Sequence, residues 1–220
     1  MPEPGIAVEA LPPLSLIALT HAHEDHFDRA AFSRLPSRAV CVVTPSRHIA
    51  RQVRALGFTD VHVLGFWETM RTDGWSLTAV PARAPNALVE ASWFLEVGGA
   101  RILHAGDTAM HPHFEEIRER CDPVVGLLPV NGVSMLGLRL TMTPEQAARA
   151  AFVLRLRLAI PIHAEMFFGK LSRLLYRASG SPEKFEASAR RLAPRTRVIL
   201  AERGIPIILP AGQPTPSFSP

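Results

Sequence analysis

The sequence is poor in cysteine, poor in lysine and without a long apolar run, and each shortage excludes something. Two cysteines in 220 residues, Cys41 and Cys121, stand in apolar or helix-end contexts with no CxxC spacing. They read as reduced packing residues of a cytoplasmic protein, not as a disulfide framework. No stretch approaches the ~20 apolar residues that a membrane-spanning helix needs. The opening Met1-Pro2-Glu3-Pro4 lacks the basic-then-apolar form of a signal peptide, so no membrane partner is expected. Lysine occurs only at Lys170 and Lys184, and the formal net charge of +4 is carried by arginine. Arg47, Arg51 and Arg54 fall on one face of a predicted helix and could attract phosphate or nucleic acid. A solvated face on an Arg- and Ala-rich chain is the simpler account, and nucleic acid is not expected as a partner.

No internal repeat is visible, and 220 residues at 47% hydrophobic content suffice for one sizeable core. A single domain is expected over residues 1–210, followed by a flexible Pro- and Ser-containing tail over 211–220. Strand-like segments alternate with helical ones along it. Strands are predicted at Leu14–Leu19, Ala39–Val43, Val61–Leu64, Trp75–Val80, Ser92–Val97, Arg101–His104, Val124–Pro129, Ala159–Ile162, Val198–Ala201 and Ile205–Leu209. Gly98-Gly99 marks a hairpin between two of them. Helices are predicted near Asp28–Leu35, after the Thr44-Pro45 cap as far as Gly57, and from the Thr143-Pro144-Glu145-Gln146 capping box to about Leu158. Ser181-Pro182-Glu183-Lys184 caps one more. Periodicity alone gives a mixed α/β class.

What is abundant is metal-ligand chemistry in one place. Thr20-His21-Ala22-His23-Glu24-Asp25-His26 follows the first predicted strand and sets three imidazoles beside the Asp25 carboxylate. Imidazole and carboxylate are the donors that Zn²⁺ prefers in hydrolytic sites, and Mn²⁺ takes the same set. His21 and His23 are two apart, so in extended backbone they point to one side, while Asp25 and His26 come one turn later.

The HxHxDH spacing resembles the hallmark of the metallo-β-lactamase superfamily. The resemblance extends through Gly106-Asp107-Thr108 after a strand and through Ile160-Pro161-Ile162-His163 at a later strand end. The stretches Leu127 to Gly132, Met142 to Ala147, His163-Ala164-Glu165-Met166-Phe167 and Ser181 to Phe185 are similar to the branch that contains L-ascorbate-6-phosphate lactonase. The resemblance implies an αββα sandwich. It also implies a ligand set in which His21 and His23 share Asp107 with Asp25, His26 and His163.

Two departures qualify it. The family's further metal-binding histidine is missing: the chain reads Pro81-Ala82-Arg83-Ala84-Pro85-Asn86, and neither Ala84 nor Arg83 is a metal ligand. One firmly held ion, zinc or manganese, is therefore expected rather than two. The family's usual N-terminal strands are also lacking, since only about twenty residues precede His21. Two expectations follow: an exposed sheet edge that a second copy of the chain could cover as a homo-oligomer, or a gene start placed too far downstream.

The expected activity is hydrolysis of an ester, lactone or phosphodiester in a small-molecule substrate, phosphorylated substrates included. A metal-bound hydroxide oriented by Asp25 would attack, and Asn131 would hydrogen-bond the substrate. The competing expectation is a degenerate, non-catalytic member that acts as a binding or assembly protein. His111 and His113 read as surface loop residues, His104 as a neighbour of the site or a core histidine, and His48 and His62 as ordinary helix and strand positions. Glu165 reads either as an orienting partner of His163 or as an exposed carboxylate.

Overall fold

The computed structural model describes residues 4–83, 89–164 and 175–209. Ala84 to Asn86, Glu165 to Phe167 and the expected tail lie outside the described residues. Three parallel strands, β1 (Leu16–Ala18), β2 (Cys41–Thr44) and β3 (Val61–Val63), form a small sheet in that order. Strand alternation divides its side chains between two faces. Val42 and Val61 turn towards helices α1 (Arg29–Arg34) and α2 (Arg47–Ala55), where they pack with Phe32, Ile49, Val53 and Phe58. Cys41 and Val43 turn the other way.

Helix α1 starts at Asp28, whose carboxylate accepts from the backbone N–H groups of Ala30 and Ala31. Helix α2 starts at Ser46, two residues after the Thr44 cap expected from sequence. Thr44 is the last residue of β2, and its hydroxyl accepts from the Ser46 N–H instead. Gly57, at φ +90°, follows the end of α2 as expected, in a conformation that favours glycine.

The second sheet has seven strands: β4 (Thr69–Arg71), β5 (Trp75–Pro81), β6 (Ala91–Val97), β7 (Ala100–His104), β8 (Val125–Pro129), β11 (Leu158–Ile162) and β13 (Arg197–Val198). Their spatial order is β13-β11-β8-β7-β6-β5-β4. Pairing is antiparallel from β4 to β7 and parallel from β7 to β13. Helices α3 (His113–Cys121), α4 (Pro144–Val153) and α5 (Pro182–Leu192) supply Phe114, Ile117, Ala147, Ala151, Phe185 and Ala189 to a core shared with Val80, Phe94, Leu103 and Leu128 of this sheet. Leu77, Ala79, Ala91 and Trp93 face the other way and meet Cys41 and Val43 of the small sheet. Two sheets back to back, each covered by helices, make the αββα sandwich that the resemblance implies.

Three local expectations change. Helix α4 ends at Val153 rather than near Leu158, because Arg155 adopts φ +52° and turns the chain into β11. Ile205–Leu209 is not a strand: Ile207 and Leu209 pack against Val125, Leu158 and Ile160 without joining a ladder. A third sheet, β10-β9-β12, pairs β9 (Ser134–Met135), β10 (Leu138–Arg139) and β12 (Tyr176–Arg177), each too short for sequence periodicity to reveal.

Candidate metal centre

The ligand-type side chains gather where β1, β7, β8 and β11 end. Beyond β1, Thr20 and His21 are buried. The His26 and Phe27 N–H groups both donate to the His23 carbonyl, closing a turn that brings His26 back beside His21. The ring centroids of His21 and His26 lie 4.2 Å apart. Between them the Thr20 hydroxyl sits 3.0 Å from His21 Nδ1 and 3.1 Å from His26 Nδ1. That leaves the Nε2 atoms of both rings facing forward, His21 Nε2 lying 2.8 Å from His23 Nδ1.

Asp107 stands in the middle. His26 Nε2 lies 3.1 Å from Oδ1; His163 Nε2 and His21 Nε2 lie 3.2 Å and 3.9 Å from Oδ2. Asp25 Oδ2 is 3.4 Å from His163 Nε2 and 3.7 Å from His26 Nε2. Asp25, His26, Asp107 and His163 can place one donor atom each within 4.8 Å of one another, and His21, His23 and Asp107 form a second such group. All six metal-ligand candidates named from sequence therefore share one cluster.

Its charges are strongly coupled. Burial would push the Asp107 carboxyl up, but the close imidazoles of His163 and His26 outweigh it and hold the group well below the carboxylate range. His163 is opposed by burial yet held up at about 9 by Asp107 and Asp25. Burial, with the nearby His26 second, pushes His21 down to about 4, so this imidazole is neutral at pH 7 and has a lone pair to offer.

Behind the cluster stand supporting residues, one of which, Glu90, the sequence did not point to. Glu90 is 5% exposed, and its Oε1 accepts from the Asp107 N–H at 2.7 Å and lies 3.7 Å from His21 Nδ1. Burial and the charge of Asp107 push it up to about 7. Gly106, at φ +66°, turns the chain into Asp107; a Cβ there would meet Glu90 Oε1 at 2.7 Å. Glu90 had no local signal, being one acid among Ala, Leu and Val residues. His104 falls among these supporting groups too, its Nδ1 accepting from the Gly106 N–H at 3.2 Å.

Asn131 differs from its expected role as a substrate contact. It is buried, its amide nitrogen lies 2.5 Å from His163 Nδ1, and its Oδ1 accepts from the Thr141 hydroxyl at 2.5 Å. Its side chain is thus turned to the back of His163, fixing the ring's orientation. His163 itself, one residue past β11, has φ +51°, a backbone region that non-glycine residues rarely enter.

His111 is not on the surface either: it is 5% exposed, stacked on Phe114 with ring centroids 4.2 Å apart. Neither ring nitrogen has a hydrogen-bond partner among the described residues, and burial first, then His113 and Arg83, push the ring down to about 4. His113 is exposed, as expected.

The donor set fits a divalent cation. Asp107 Oδ1 is buried without a hydrogen bond among the described residues, and its approach to His26 lacks hydrogen-bond geometry. A cation between the imidazoles and carboxylates would satisfy that oxygen.

Comparison with known proteins agrees. The model of the beta-lactamase superfamily domain matches residues 1–164. A metal-dependent hydrolase of Methanopyrus kandleri is 27% identical over 199 residues, 86% of this chain and 80% of its own length. A metal-dependent hydrolase of Thermus thermophilus is 34% identical over 160 residues, 69% of this chain and 66% of its own length. A metallo hydrolase from the hyperthermophilic archaeon Ignicoccus hospitalis has a similar fold, with a TM-score of 0.68 at 24% identity over 87% of this chain and 77% of that one.

Proposed function

The chain belongs to the β-lactamase superfamily, and on that premise we propose that it is a metal-dependent hydrolase of a small ester, lactone or phosphodiester. The carrying observation is the position of Asp107, one oxygen towards His26 and the other towards His163 and His21. Asp25, His26, Asp107 and His163 would hold one zinc or manganese ion firmly. His21 and His23, sharing Asp107, would hold another weakly or not at all, since Ala84 offers no donor. The bound ion would draw a nucleophile from water at neutral pH and polarise the oxygen under attack.

The chain's own groups do the rest. Thr20 and Glu90 fix the back of His21, and Glu90 also fixes the Asp107 backbone. Asn131, its oxygen held by the Thr141 hydroxyl, keeps its amide against His163 Nδ1 and so holds that ring's orientation. Asp25 is the most exposed member of its group, and the His163 hydrogen bond holds its carboxyl low, so it remains ionised and able to orient water or a leaving group.

Turnover of bis-p-nitrophenyl phosphate and of simple lactones by protein purified without chelator tests this reading. Activity that disappears with chelation, returns with zinc or manganese and falls at least ~100-fold in Asp25→Ala is the expected result. A chain that binds metal yet turns over none of these substrates, in both ions, would favour the binding-protein alternative. The loss of the histidine near Ala84 is the observation that supports it.

A further inference from the structure

Cys41, Asp60 and His62 meet at the far end of the small sheet. In the parallel ladder Val42 pairs with Val61 and Val43 with His62, which sets Cys41 level with Asp60. Alternation then puts Cys41, Asp60 and His62 on one face, the face that Cys41 and Val43 turn towards the large sheet. His62 Nε2 is 2.6 Å from Asp60 Oδ1, and the Cys41 thiol is close enough to the same carboxylate to feel its charge. The sulfur, an imidazole nitrogen and a carboxylate oxygen all lie within 4.8 Å of one another. β3 is the outer strand, with Asp60 and His62 exposed, so the cluster opens to solvent on one side while Cys41 closes it on the other.

We propose that Cys41, Asp60 and His62 form a second, separate site for a zinc-class divalent ion. A buried sulfur, an imidazole and a carboxylate are a donor set that zinc takes, and three protein ligands leave one position for water. The cluster is independent of the centre built on Asp107. Cys41 is level with Leu16 in the β1–β2 ladder, five residues before His21 and roughly 15 Å away along the strand direction. Without a cation the thiol and the imidazole each carry a proton that can face the Asp60 carboxylate. On binding, the thiol proton leaves to solvent, the imidazole proton sits on Nδ1, and the cation takes up sulfur, nitrogen and oxygen. Burial, with the Asp60 charge next, pushes the free thiol up to about 11, so without a metal it is a poor nucleophile.

Cobalt titration of the metal-stripped full chain isolates this site, because the Asp107 centre contains no sulfur. The expected result is a near-ultraviolet thiolate-to-cobalt absorbance that saturates with one equivalent of metal beyond that taken by the histidine–carboxylate centre. It should vanish in Cys41→Ser and need at least tenfold more cobalt in His62→Ala, while the visible cobalt bands of the other centre are unchanged. Absence of the absorbance from the unmodified chain overturns the proposal, as does its persistence in Cys41→Ser, which would point to Cys121. If Cys41→Ser fails to fold, the exposed His62→Ala variant decides: an unshifted titration of the same band also overturns the site.

Discussion

Single residues decide how the metal centre is held. Glu90 links the Asp107 backbone to the back of His21, so Glu90→Ala should release both while removing no ligand. Supporting groups of this kind are worth about 10–100-fold in metal affinity, and chelator competition should show a loss of that order, with Glu90→Gln closer to the unmodified chain. Gly106→Ala should damage the same loop, since the new methyl would collide with Glu90 in a backbone region that L-residues avoid. His111 makes a different prediction. Its folded pKa of about 4 lies below the ordinary 6.5, so above about pH 6.5 both folded and unfolded chains carry it neutral. As the pH falls from 6.5 towards 4, the unfolded chain takes up a proton that the folded chain refuses, and stability drops by up to about 3 kcal/mol. Denaturant midpoints at pH 7 and pH 4.5 should therefore differ less in His111→Phe, with metal content unchanged. The surface reading of this histidine failed because nothing in His111-Pro112-His113 tells which ring will stack on Phe114.

At the scale of elements, sequence legibility followed the strength of local signals. The capping box at Thr143 was readable because its two halves, Thr143 and Gln146, are three residues apart, and both hydrogen bonds form. Thr143→Ala should cost about 1 kcal/mol, which for a chain of this size lowers the melting temperature by about 2–4 °C in calorimetry. The other end of α4 was not readable: Leu154-Arg155-Leu156-Arg157 holds neither glycine nor proline, yet Arg155 takes the left-handed turn. Ile205–Leu209 misled for the opposite reason. Its alternation of apolar residues covers a sheet face without any ladder, so the pattern was real and the hydrogen bonding absent. The metal loop was the most legible element because four candidate ligands, His21, His23, Asp25 and His26, fall within six consecutive residues. Glu90, and the contact of Asn131 with His163, became visible only once sheet order brought distant strand ends together.

For the whole molecule, the centre exists only when residues from His21 to His163 have been brought together across both sheets. An ion bound there stabilises the folded chain but not the unfolded one, by about 2.7 kcal/mol when the free ion is at a hundred times its Kd. Melting temperature should accordingly rise with added zinc or manganese and fall on chelation, and Asp107→Asn should remove most of that dependence. The backbone of His163 sets a limit on how stable such a molecule can become. A side chain at φ +51° is held at an energetic disadvantage that glycine would not feel. His163→Gly should therefore melt at a higher temperature than His163→Ala, although both lose the same ligand. Selection for heat resistance alone would erode this position towards glycine, so a thermally hardened descendant would gain robustness by surrendering the residue on which its chemistry depends.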